Sequence, residues 1–303
     1  MSELRFDNRA VVVTGAANGL GRSHALQFAA RGARVVVNDP GAAPTGEGSD
    51  RSAATRGVDE IVAAGGEAVA SHDSVTDGAR IVQCALDNFG RLDVLVNNAG
   101  ILRDRSFHKM TEEDWDRVYD VHVKGAFRVT RAAWPHMRGQ DYGRVLFTAS
   151  AAGLYGNFGQ ANYAMAKLGL HGLAQTLAIE GARHNIVVNT IAPVARSRLT
   201  DSLLPPQLLE QLRPELVSPL VLKLCHEDHS DNGGLYEAGG GWMARLRWQR
   251  SYGHDFSIDR PLTPEDVAQQ WSRITTFENA EHPRDGQEAL MRIMGNPGGS
   301  SSK

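Results

Sequence analysis

One tyrosine among six is followed by a lysine four residues on, in Tyr163-Ala164-Met165-Ala166-Lys167. On a helix, residues at i and i+4 share a face. A phenol titrates at about pH 10, too high for a base at neutral pH. A neighbouring ammonium stabilises the phenolate, so the pair can act as a general base toward a hydroxyl. Ser150 closes the apolar run before it, and its hydroxyl can hold a substrate oxygen against Tyr163. The competing reading is a helix-surface pair worth roughly 0.2–0.5 kcal/mol.

A second constellation lies near the start. Thr14-Gly15-Ala16-Ala17-Asn18-Gly19-Leu20-Gly21 directly follows a β-branched run. Glycines there let the backbone turn sharply and approach a pyrophosphate, which then rests on a helix N-terminus. A plain strand-to-helix turn is the alternative. Asp39, at the end of the next apolar run, narrows the choice. An acid there accepts hydrogen bonds from an adenosine ribose diol and repels a 2′-phosphate. Asn18 and Pro40 add no compensating base. The pattern predicts NAD over NADP by roughly tenfold or more. An Asp that only caps a turn is the other reading. Asp73 and Ser74 close the third strand, where adenine is expected, and Asn97-Asn98-Ala99-Gly100 closes the fourth. The positive charge of an oxidised nicotinamide would help Lys167 lower the Tyr163 pKa.

These residues need a scaffold that brings strand ends together. Strands are expected at 10–14, 34–38, 68–70, 93–96, 144–148, 186–191 and 234–237. Helices are expected at 19–31, 75–89, from an N-cap at Thr111, and at 160–184, where Leu170, Leu173, Ala174 and Leu177 share a face. This order implies an α/β fold: a doubly wound, Rossmann-type parallel sheet with ligands beyond its carboxyl edge. Residues 1–241 form the expected domain, including a substrate loop at 195–217. Residues 242–295 form a C-terminal extension, with a helix start at Thr263-Pro264-Glu265-Asp266. The Gly/Ser-rich 296–303 is an expected disordered tail. Residues 40–50, rich in Gly, Ala and Pro, read as a surface loop.

Composition sets the bounds. The 303 residues carry a net charge of −3 with 42% hydrophobic content, which gives no general pull toward nucleic acid or an anionic membrane. No stretch is long enough to span a bilayer. Two cysteines, Cys84 and Cys225, argue against a disulfide framework and fit a reducing compartment. No signal peptide is visible, and the final Ser302-Lys303 stops short of a Ser-Lys-Leu peroxisomal address, so a cytoplasmic location is expected.

The glycine turn, Asn-Asn-Ala-Gly, strand-end Ser150 and Tyr-x-x-x-Lys, in this order, resemble the short-chain dehydrogenase/reductase family. The resemblance implies Tyr163 as base, Ser150 polarising the alcohol oxygen, and Lys167 on the nicotinamide ribose. Residues 98–107, 155–163, Asn189-Thr190-Ile191-Ala192-Pro193 and the 241–248 segment resemble more closely the (3R)-hydroxyacyl-CoA dehydrogenase part of peroxisomal multifunctional enzymes of type 2. The 40–50 loop and the extension belong to that pattern. It implies oxidation of a (3R)-3-hydroxyacyl-CoA with NAD in fatty acid β-oxidation, a homodimer or homotetramer, and a separate enoyl-CoA hydratase. Pro193 is then a cofactor contact.

Two positions depart from the wider family. Its catalytic Asn corresponds to His122, as in the closer relatives; the imidazole either joins a proton relay or packs as a helix histidine. Val194-Ala195-Arg196 stands where relatives carry Asn-Ala-Gly, which leaves a steroid or other bulky alcohol as a second substrate reading. A non-catalytic NAD-binding protein is a third, opposed by the intact Ser150, Tyr163 and Lys167. Cys225-His226-Glu227-Asp228-His229 reads as a polar helix end rather than a zinc site, and no metal is expected. Arg245, Arg247 and Arg250 suit either coenzyme A phosphates or a subunit contact.

Overall fold

The β-branched runs Ala10–Thr14 (β1), Arg34–Asn38 (β2), Val94–Asn97 (β4) and Gly143–Thr148 (β5) are almost wholly buried, as strands covered on both faces must be. The computed structural model describes residues 3–196 and 206–295. With Glu67–Ser71 (β3), Ile186–Val194 (β6), Leu235–Gly239 (β7) and Trp242–Leu246 (β8), the sheet runs β3-β2-β1-β4-β5-β6-β7-β8. The first seven strands are parallel, with Val12 level with Val36 on one side and Leu95 on the other. The strand order reverses beside β1, the place where such sheets bind ligands.

Side chains alternate between two cores. Val11, Val13, Val35, Val37 and Leu146 pack with helices α1 (Gly19–Ala30) and α2 (Ser52–Ala63). Val12, Val36, Leu95, Val145 and Phe147 face the other side, under α3 (Gly78–Phe89) and two helices that follow Thr111 and Gln160. The Thr111 side chain accepts from Asp114 N, and Asp114 answers to the Thr111 backbone, so α4 (Glu112–Tyr119) opens with a capping box. It passes through a π-helical turn, Asp120–Gly125, into α5 (Ala126–Gln140). After β5 come α6 (Ala151–Tyr155) and the long α7 (Ala161–Gly181).

The doubly wound sheet is the one expected, with strand ends shifted by one to three residues. Several elements were not, helix α2, a π turn and strand β8 among them. Helix α2 buries Ala53, Ala54, Gly57 and Ile61, which share one face. The helix after Thr111 is interrupted by the π turn. Strand β8 is joined to β7 by Gly240 and Gly241, both at positive φ (58° and 82°), the requirement of a tight two-residue hairpin.

The chain divides into compact units Met1–Arg245 and Leu246–Lys303. The boundary between the units thus falls at the last residue of β8 rather than before Trp242, because Trp242–Leu246 joins the sheet. Of the 195–217 loop, 197–205 lie outside the described residues, as does the 296–303 tail; α8 (Pro206–Gln211) follows. Helix α9 (Ser218–Cys225) ends at Cys225, whose buried thiol is pushed up to about 12. That makes an inert core cysteine. In the second unit, Thr263 and Asp266 form another capping box at α10 (Pro264–Gln269). Arg292 grips Asp255 through two bonds of 2.9 and 3.0 Å.

Candidate active site

The glycine turn is shaped by its neighbours. Gly15 and Gly19 have φ of +66° and +51°, which favour glycine. A Cβ on Gly21 would strike Gly15 O, and one on Gly15 would sit 2.8 Å from Ala99 Cα. Asn98 explains this closeness. Its Nδ2 donates to Thr14 O (2.9 Å) and Gly15 O (3.1 Å), while Thr14 Oγ1 accepts from the backbone N of Asn98 and Ala99. Asn98 therefore acts through the turn, pinning the end of β1 to that of β4. Leu20 packs against the first core.

The residues present fit a dinucleotide. The Asn18 side chain makes no capping bond to α1, and its first turn holds no acid. Its N-terminal N–H groups therefore suit a diphosphate. Asp39 is buried; its Oδ2 accepts from Ala17 N (3.1 Å) and its Oδ1 from Gly41 N (2.7 Å). A carboxylate has about four acceptor positions. Capping the turn leaves room for a ribose diol, so the two readings of Asp39 are compatible. Asp73 and Ser74 lie at the end of β3. Asn38 Nδ2 holds Asp73 O at 2.9 Å, and Ser74 Oγ caps the short turn Val75–Asp77. Pro193 and the exposed Val194 end β6.

The candidate catalytic residues gather at the same carboxyl rim. Ser150 follows β5 and caps α6, with Oγ accepting from Ala152 N at 3.2 Å. It also lies close enough to the Tyr163 phenol to pull its pKa down. Lys167 is buried, its Nζ donating to Thr148 O at 2.7 Å and lying 5.5 Å from the Tyr163 ring centre. Burial lowers its pKa to about 7.

One expectation needs correction. Lys167 does not lower the Tyr163 pKa among the protein's own groups. The phenol is raised instead, first by burial and further by the Asp104 carboxylate. The reason is desolvation, which disfavours the phenolate and the ammonium alike.

His122 sits in the π turn, a conformation found mostly at functional sites. Its ring meets Tyr163 edge-on at 5.3 Å. Nε2 lies 2.9 Å from both the N and the O of Ile101, and Nδ1 is buried without a partner among the described residues. Burial, then the Lys167 charge, lowers its pKa to about 3, so the imidazole is neutral. Gly100 provides the space: a Cβ there would lie 2.5 Å from His122 Cε1. This is the geometry of a packed histidine bracing the phenol.

Asn162 was not singled out from sequence. Fully buried, it accepts from Tyr163 N (2.8 Å) and donates to Arg103 O (3.1 Å) and Asp114 O (3.0 Å). It fixes the first turn of α7, and so the phenol. An amide directly before the catalytic tyrosine was the available signal. Gln160 also donates to Asp104 Oδ2 (2.7 Å). Of the extension arginines, Arg245 pairs with Asp231 and Arg250 with Glu281.

The short chain dehydrogenase family matches residues 9–202. Peroxisomal multifunctional enzyme type 2 of Mus musculus is 57% identical over 294 residues, which is 97% of this chain and 40% of that protein. The full-length peroxisomal multifunctional enzyme type 2 from Drosophila melanogaster superimposes with a TM-score of 0.83 at 46% identity, over 96% of this chain and 49% of that one. The chain thus spans less than half the length of these two relatives. A 7α-hydroxysteroid dehydrogenase solved with NADH and 7-oxo glycochenodeoxycholic acid superimposes at 0.71 and 29% identity, over 80% of this chain and 98% of that one. The chain belongs to the short-chain dehydrogenase/reductase family and is an oxidoreductase acting on CH–OH groups.

Proposed function

We propose that the chain oxidises a (3R)-3-hydroxyacyl-CoA to the 3-ketoacyl-CoA with NAD. The observation that carries this is Ser150 and Lys167 converging on Tyr163 at the carboxyl rim. When bound, a nicotinamide dinucleotide accepts a hydride from the carbinol carbon. The protein's part is to hold and move the proton. Ser150 Oγ orients the substrate oxygen, and Tyr163 Oη takes its proton. Lys167 Nζ, anchored on Thr148 O, holds positive charge beside the phenol. Asn162 and His122 keep the ring in place.

Asp39 supports NAD over NADP, since a carboxylate just past β2 can accept from a ribose diol and would repel a 2′-phosphate. Exposed Phe107, Tyr155 and Phe158, on segments that follow β4 and β5, suit an acyl chain. The resemblance of residues 98–107 and 155–163 to peroxisomal multifunctional enzymes of type 2 favours an acyl-CoA substrate and a homo-oligomeric enzyme. A bulky secondary alcohol such as a steroid is the second reading; the exposed Val194 and the hydroxysteroid relative favour it. The test is kcat/KM for (3R)- and (3S)-3-hydroxyacyl-CoAs of several lengths and for hydroxysteroids, with NAD and NADP. The first reading expects turnover of the 3R epimer with NAD. Equal rates on both epimers would refute it.

A further inference from the structure

The 40–50 loop has a closed neck and a docked tip. At the neck, Asp50 N donates to Pro40 O at 3.1 Å, directly after Asp39. At the tip, Leu102 N donates to Pro44 O (3.0 Å), and Gly46 rests on Ile101. Arg103 does most of the holding. Its Nε donates to Thr45 O (3.1 Å) and its Nη2 pairs with Glu47 (3.0 Å). Its Nη1 faces Glu113 (3.4 Å) and Asp114 (3.6 Å) on α4. Arg117 adds a bond to Gly46 O (3.3 Å).

Strand order gives this docking its meaning. The loop leaves the end of β2 and lands on residues that follow β4, while β1 lies between those strands. Adjacent strands are about 4.8 Å apart, so the loop reaches across roughly 10 Å of the carboxyl edge. The glycine turn Gly15–Gly21 sits in that interval. The landing site also reaches the catalytic end: Ile101 holds His122, and Arg103 O holds Asn162.

We propose that the loop is a strap across the dinucleotide groove, and that Arg103 is the positioning residue that keeps it shut and sets how fast the dinucleotide leaves. This rests on the dinucleotide reading above. With the strap latched to Glu47 and Thr45, a bound dinucleotide is trapped between it and the glycine turn. Release then requires Arg103 to let go of Thr45 and Glu47. The latch lies away from Ser150, Tyr163 and Lys167 in sequence and acts on release rather than proton transfer.

The test compares wild type with Arg103→Gln and Glu47→Ala in two measurements. One is NADH dissociation, followed by stopped-flow fluorescence. The other is amide hydrogen exchange across residues 41–50 without dinucleotide. Both variants should exchange faster in the loop. NADH should dissociate about tenfold faster from Arg103→Gln, the scale of one lost charge-assisted bond, and by a smaller factor from Glu47→Ala. Glu47 is largely exposed, so its variant keeps the test decisive if Arg103→Gln does not fold. Faster loop exchange with unchanged NADH dissociation would overturn the strap alone. Failure of the wild type to bind NADH would overturn the dinucleotide reading and the strap with it.

Discussion

Replacing Lys167 with methionine should stabilise the protein at neutral pH while disabling it. Lys167 is 3% exposed, and its ammonium donates to the Thr148 carbonyl at 2.7 Å. Burial lowers its pKa from 10.5 to about 7. The unfolded chain therefore binds more protons between about pH 7 and pH 10.5, so this group's contribution to stability rises with pH across that window. At pH 7 and below, the buried lysine costs roughly 4–5 kcal/mol relative to a neutral side chain; at pH 9 it costs about 2 kcal/mol. Methionine removes that cost but leaves the Thr148 carbonyl without its donor, a loss of about 1–3 kcal/mol. Lys167→Met should thus gain about 2 kcal/mol at pH 7 and close to nothing at pH 9. Urea denaturation without dinucleotide, at both pH values and one protein concentration, measures the difference. Turnover should fall by at least ~10²-fold, because the side chain expected to hold the nicotinamide ribose beside the phenol is lost. A variant less stable at pH 7, with a gap unchanged at pH 9, would refute this electrostatic account of the site.

Three further outcomes follow from the same geometry. Asn162→Ala leaves Tyr163 N, Arg103 O and Asp114 O without a partner; it should cost about 1–3 kcal/mol in denaturation and lower kcat more than it raises KM. Gly100→Ala puts a methyl group against the His122 ring, so it should weaken both stability and turnover by thermal melting and rate assays, and His122→Ala should partly rescue the double variant. Asp39→Asn keeps one acceptor oxygen, for Ala17 N or Gly41 N but not both, and removes the charge that would repel a 2′-phosphate. The NAD-to-NADP ratio in kcat/KM should narrow by about tenfold.

Much of the fold is written in short-range pattern. Buried parallel strands must be continuous apolar runs, and Val11–Val13, Val35–Val37 and Val94–Val96 are such runs. Capping boxes at Thr111 and Thr263 are local chemistry and stand where the residues imply. Helix α2 went unread because three of the four residues on its buried face are alanine or glycine, with Ile61 the exception. Gly57 fits there because it packs on Val37, a neighbour from a different element. The π turn has no sequence signature of its own; it depends on His122 reaching Ile101. Tyr163, Lys167 and Ser150 were readable because their spacing carries the chemistry. The charge state of Lys167 was not, since burial is set by packing between α7 and β5. Asn162 and Arg103 escaped for a similar reason: their partners lie far away in sequence.

The central claim is that Tyr163 takes the proton while the rest of the site binds and orients. Tyr163→Phe removes only the hydroxyl. The decisive measurement pairs NADH affinity with single-turnover oxidation of a (3R)-3-hydroxyacyl-CoA in wild type and this variant. The account predicts unchanged NADH affinity and chemistry slowed by about 10²–10⁴-fold. Chemistry at the wild-type rate, with NADH bound equally well, would contradict it.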